Sequence, residues 1–147
     1  VMVGVRIALA VSAWLIAGAG AAVACSCSQP PAHVKGREAI EAWQLEAAET
    51  VVRGRVTQMT AGANATLDGK PVVRADFVVD EVVKGEIGGR QLRLVTLFGL
   101  GDCGSAGLLL TAIGWNRPVR IEVKALPGAD DYFIHSCGYG VVEPPQR

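Results

Sequence analysis

A small, mainly β domain, a barrel or sandwich with one helix, is what the sequence predicts, and three observations predict it. Five segments have the β-branched or alternating character of strands, Gly- and Pro-bearing turns separate them, and only one segment carries a helical apolar stripe. The length of 147 residues allows a single domain.

The helix is Lys35 to Glu49. Ala39, Ile40, Trp43 and Ala47 fall on one face, Glu38, Glu41 and Glu46 fall mostly off it, and Pro30-Pro31 prevents an earlier start. From Thr50 the period changes. Val51 to Thr57 is β-branched with interleaved charges, and Gly62-Ala63-Asn64 and Asp68-Gly69 supply turn chemistry. Val72 to Val83, Gln91 to Phe98, Val119 to Leu126 and Tyr132 to Ser136 are the remaining strands. Arg90 to Val95 and Val119 to Lys124 alternate as half-buried antiparallel strands do. The chain has no internal repeat, and Glu143 to Arg147 is the only linker-like stretch.

Much of the apolar half of the composition lies in residues 1–24. Arg6 is the only charge before Lys35, an apolar run extends from Ile7 to Val23, and Ala22-Val23-Ala24 is a small-x-small tripeptide. These are the parts of a secretory signal peptide, and the alanines and glycines of Ala17 to Ala24 make a poor membrane span. Cleavage after Ala24 removes 24 of 147 residues and leaves 123, with 13 basic against 14 acidic groups once Arg6 is gone. The exported unit is thus residues 25–147, secreted, periplasmic or on the cell surface, with no span of its own. A charge this close to balance excludes nucleic acid and a polybasic membrane anchor, because phosphates demand a surplus of Lys and Arg.

All four cysteines (Cys25, Cys27, Cys103, Cys137) lie in the exported part, where an even number reads as disulfides. A Cys25–Cys27 bridge would force a ring too tight for disulfide geometry. The two long-range pairings that remain both staple the N-terminus onto the middle and the end of the chain.

Catalytic chemistry is sparse, and an enzyme is not expected. Gly99-Leu-Gly101-Asp-Cys-Gly104 matches G-x-G-x-x-G, but a dinucleotide site also needs a βαβ unit, which Ser105 to Trp115 does not suggest. His33 and His135 have no companion ligands, no Ser has a His–Asp neighbourhood, and Asp130-Asp131 reads as a solvated turn. Asn64-Ala-Thr66 reads as a glycosylation sequon or a hairpin tip. No cofactor is expected.

Cys25-Ser26-Cys27 is the remaining feature. As thiols it is a C-x-C copper or zinc pair, with only two methionines and two histidines in the chain to support it. As half-cystines it presents the α-amine and carbonyl of Cys25 on a rigid wedge. Ala22-Val23-Ala24-Cys25 is also a degenerate lipobox, although acylating Cys25 would leave an odd number of cysteines.

Together with the proline-bearing loop, Val51-Val52-Arg53-Gly54-Arg55-Val56, the run Phe77-Val78-Val79-Asp80-Glu81-Val82-Val83-Lys84-Gly85, Cys103-Gly104 and the late Cys137, this N-terminus resembles the netrin-like module. More narrowly, it resembles the N-terminal domain of tissue inhibitors of metalloproteinases and its bacterial homologues. The resemblance covers nearly all of residues 25–147, with fewer cysteines than the animal inhibitory domain and no counterpart of its C-terminal domain. It implies an OB-fold-like closed five-stranded barrel with one or two flanking helices and two disulfides, Cys25–Cys103 and Cys27–Cys137. It further implies a monomer that binds a protein partner. In the inhibitors the N-terminal amine and carbonyl chelate the protease's catalytic zinc and the next side chain enters the specificity pocket. Those roles fall on Cys25 and Ser26, with Cys27 completing the protease-binding segment. The competing expectations are a non-inhibitory extracellular or cell-surface binding module, a lipoprotein, and a C-x-C metal-binding protein.

Overall fold

A computed structural model of the chain describes residues 25–99 and 101–145, so the signal peptide expected at 1–24 lies outside the described residues. The elements in chain order are α1 (Arg37–Ala47), β1 (Val51–Leu67), β2 (Lys70–Lys84), β3 (Gln91–Thr96), α2 (Ala106–Gly114), β4 (Val119–Glu122), β5 (Lys124–Ala125), β6 (Asp131–Phe133) and β7 (Gly140–Val142). The strands form one sheet in the order β5-β6-β3-β2-β1-β4-β7. Every pairing is antiparallel except β3 with β6.

The long β1–β2 hairpin turns at Asp68-Gly69, whose φ angles of 50° and 75° are the left-handed pair that a tight Asp-Gly turn requires. The turn expected at Gly62-Ala63-Asn64 does not form. β1 runs through those residues, and the register shift between Ala61 and Thr66 takes them up as an irregularity in the ladder. Three further shifts, at Val51/Val52, Arg53/Gly54 and Val56/Gln58, bend the hairpin along its length. The bending matters because β4 and β5 sit toward opposite ends of the strand order, yet only Val123 separates them in the chain. A flat sheet could not span that distance with one residue, so the sheet curls into a half-barrel. As paired it stays open rather than closing into the five-stranded barrel: β4 pairs with β1, β5 with β6, and the Val123 amide leaves both ladders to donate to Thr50 O at 3.0 Å.

Alternation carries the core. Val52, Phe77, Leu94, Ile121 and Ile134 are buried inside the curl, and Leu109 and Ala112 of α2 close over it. α2 corrects the reading of Ser105 to Trp115 as non-helical. Ala106, Leu109 and Ala112 form its buried stripe, but Leu108 and Leu110 are also apolar, which blurs the period, and Leu110 stands exposed. α1 occupies most of the expected helix, yet none of its side chains is fully buried. It is held from its C-terminus, where Lys84 Nζ donates to Glu46 O at 2.6 Å, a cation at the negative end of the helix.

Two other expectations change. Asp131 is not in a solvated turn: it is 6% exposed, its Oδ2 accepts from Arg74 Nη1, and its Oδ1 faces Arg93 Nε at 2.7 Å. The pair ties β6 to β2 and β3. Glu143, expected in a linker, follows the unanticipated β7 and accepts from Arg53 Nε and Nη2 and from Arg120 Nε, each at 2.9 Å. The hydrogen bond from Arg53, with that from Arg120, outweighs burial and holds its carboxyl below the ordinary glutamate value.

The glycines of the motifs are explained by close approach. A Cβ on Gly54 would lie 2.1 Å from Val78 O and 2.7 Å from the Phe77 ring, and one on Gly104 would lie 1.9 Å from Leu97 O. Replacing Gly54 by Ala should therefore cost about 2–3 kcal/mol of stability, the scale of overpacking in a filled core. Gly107→Ala, in open space on α2, should be neutral or stabilising by up to about 1 kcal/mol. Thermal unfolding followed by circular dichroism separates the two, and equal midpoints would refute the close approach at Gly54.

Candidate functional site

The site is assembled where β3 and β6 end. Because these strands are parallel neighbours, with Arg93, Leu94 and Val95 opposite Asp131, Tyr132 and Phe133, their chains leave the sheet at the same end. The ladder continues one residue further, with Ile134 N donating to Val95 O at 3.0 Å. The loops that follow carry Cys103 and Cys137, and Ser136 N donates to Cys103 O at 3.0 Å, fastening one loop to the other.

On this platform Cys25 is bridged to Cys103 and Cys27 to Cys137, with Cα–Cα separations of 5.3 and 5.1 Å. The structure brings together all five residues singled out from the sequence. Cys25 and Cys27 are half-buried, Ser26 between them is exposed, and the bridges span 78 and 110 residues of chain. In the chain-entropy picture a single loop of such length contributes about 4–5 kcal/mol, the second less once the first has closed. Neither Cys25 nor Cys27 is a free thiol, so the C-x-C pair offers no thiolate to copper or zinc. Among the described residues no group of three His, Cys, Asp or Glu side chains is placed to hold a metal.

The glycine-rich loop has its own internal anion. Asp102 Oδ1 accepts from Gly99 N at 2.6 Å and Gly104 N at 3.0 Å, and its Oδ2 accepts from Phe98 N at 3.0 Å. Gly99, Gly101 and Cys103 take positive φ angles of 92°, 87° and 66°, which wraps the loop around that carboxylate. Three of the amides that could cradle a phosphate, those of Phe98, Gly99 and Gly104, are therefore spent on Asp102. α2 leads into β4, which runs antiparallel to β3 three places along the sheet, so the βαβ unit of a dinucleotide site is missing as well. The loop's role is to place Cys103 and start α2, helped by Ser105 N donating to the fully buried Thr96 Oγ1 at 2.7 Å.

Asp102 was missed from sequence because an Asp among glycines reads simply as a turn residue. His135 is structural here, its Nδ1 accepting from Cys137 N at 3.0 Å, which places the proton of the neutral ring on Nε2. His33 lies in a turn closed by Val34 N to Pro31 O, exposed.

For Asp102, burial raises the pKa, and the hydrogen bonds from Gly99, Gly104 and Phe98 more than reverse it, leaving the group below the ordinary 3.8. A depressed folded value means that its stabilisation is complete above the unfolded value and is lost as pH falls through the folded one. The loop should therefore loosen below about pH 3.8. Asp102→Asn should lower stability at neutral pH by about 1–2 kcal/mol and flatten that acid loss. Urea unfolding between pH 7 and pH 2 measures both, and parallel pH profiles for the two proteins would refute the role.

No protein-family model matches this chain and no curated protein matches it, so its function has to be argued from the geometry of this site.

Proposed function

We propose that the protein is an exported, non-enzymatic binding module of the netrin-like kind, and that it inhibits a zinc metalloprotease through Cys25 and Ser26. The single observation that carries the proposal is the double anchoring of Cys25-Ser26-Cys27, which leaves Ser26 exposed between two half-cystines. A segment fixed in that way has already lost the freedom that a flexible chain end would lose on binding. Once cleavage exposes the α-amine of Cys25, with an ordinary pKa near 8, zinc can displace its proton at neutral pH, and a catalytic zinc keeps a position open for such a ligand. Chelation by the amine and carbonyl then directs the Ser26 side chain into the adjoining pocket of the protease.

An OB-type barrel, left open between β4 and β5, is the finer reading of the fold. It is supported by Val123, which carries the chain without a break from the strand paired with β1 to the strand paired with β6, and by the parallel β3–β6 pair. A lipid anchor is disfavoured because thioether attachment needs the same Cys25 sulfur that the bridge to Cys103 uses. Monomeric action suits a site formed by one chain.

Two forms of the oxidised domain test the proposal, one beginning at Cys25 and one with a single Ala added before it. N-terminal sequencing of the naturally exported protein establishes which form exists. Across a panel of zinc metalloproteases the first form should inhibit at least one enzyme. The Ala-extended form, or the first form carbamylated at its amine, should be weaker by about a hundredfold, equivalent to about 2.8 kcal/mol. Inhibition indifferent to both changes, or none at all, would refute the role of the Cys25 amine and leave a binding module that does not act through its N-terminus.

A further inference from the structure

Apart from Leu45, which packs on the small cluster of Ala48, Val51 and Tyr139, the apolar face of α1 stays outside the core clusters. It stands over a cavity of about 350 Å³ between the helix, the segment just past Cys27 and the strands leading to Cys137. Although aromatic residues are only 5% of the chain, Trp43, Phe133 and Tyr139 all line this one space, with His135 beside them. The Phe133 and His135 rings are tilted at 52° with centroids 6.2 Å apart. The volume lies at the low end for ligand sites, which suits a small group.

Glu122 is the anion in this wall. Its side chain is 11% exposed, and Oε2 accepts from Tyr139 N at 3.3 Å. Its other oxygen has Lys124 Nζ at 3.8 Å, beyond hydrogen-bond reach, and the Lys124 side chain is 61% exposed. A solvated lysine at that distance contributes little and is free to swing out. The cavity thus combines aromatic surfaces, which attract cations through their ring faces, with a largely withdrawn carboxylate whose Oε2 is held by Tyr139 N and whose Oε1 has no hydrogen-bond donor.

We infer that this cavity is a binding site for a primary alkylammonium group, whose N–H donors would complete Glu122 while its carbon stem lies against Trp43, Phe133 and Tyr139. Such a group is carried by a free small amine or by a lysine side chain of a protein. The site is separate from the Cys25 amine and does not depend on the protease reading. Lys124 acts on it as a competing internal cation.

Titration of the oxidised domain with n-butylammonium, n-butanol and butyrate, followed by the Trp43 indole and the Gly138 and Tyr139 amide resonances, tests the site. The amine should give saturable shifts and the alcohol should bind at least tenfold more weakly. Glu122→Gln keeps a carbonyl acceptor for Tyr139 N and should weaken the amine about tenfold. Lys124→Gln, at an exposed position, should tighten it several-fold. A lysine peptide blocked at both termini separates the sources: shifts at the same resonances assign the pocket to a protein lysine, and its exclusion assigns it to a small free amine. Equal binding of n-butanol, preference for butyrate, weaker amine binding in Lys124→Gln, or no saturable shift would overturn the inference.

Discussion

The parallel pairing of β3 with β6 is the constraint on which the rest of the molecule depends. Antiparallel neighbours deliver their following loops to opposite ends of a sheet, whereas parallel neighbours deliver them to the same end. Among the described residues one pair of strands in this sheet is parallel, and the loops after its two strands carry Cys103 and Cys137. A pairing of that kind needs a long crossover, here built from α2, β4 and β5, and the crossover is what forces the sheet to curl. Asp131, between Arg74 and Arg93, secures β6 at the first residue of its register. The arginines are 40% and 60% exposed and would stay solvated if the pairs broke, but the buried Asp131 carboxylate would not, and a one-residue slip of β6 would leave it uncompensated.

The Cys25-Ser26-Cys27 segment depends on that platform in turn. It has no secondary structure of its own. Here two covalent links tie it to loops that are themselves fastened by Ser136 N to Cys103 O and shaped by Asp102. Order at Ser26 is therefore supplied from the sheet, through the loops, rather than by packing of the segment itself.

Much of this was legible in the residues. Alternation in Gln91 to Thr96 and Val119 to Glu122, the Asp68-Gly69 turn and the even set of cysteines each have a short-range physical cause that survives in any context. The features that escaped depend on distant partners. α2 is apolar on several sides, so its buried stripe is defined only by the core it covers. Asp131 and Glu143 look like turn and tail residues until the arginines of other strands reach them. β7 is three residues long and exists because β4 offers it an edge.

The same distinction separates scaffold from function in the motifs. Gly54 is glycine because Val78 O and the Phe77 ring occupy the space of a side chain, Gly104 because Leu97 O does, and Gly85 because its φ of 76° sets it against Glu49 and Thr50. Each is a condition for the fold, whatever the protein binds. Ser26 answers to no such condition: it is exposed, and nothing in the curl of the sheet fixes its identity. Under the proposed binding role, specificity toward a partner would fall where the scaffold imposes least, at the side chain between the two half-cystines.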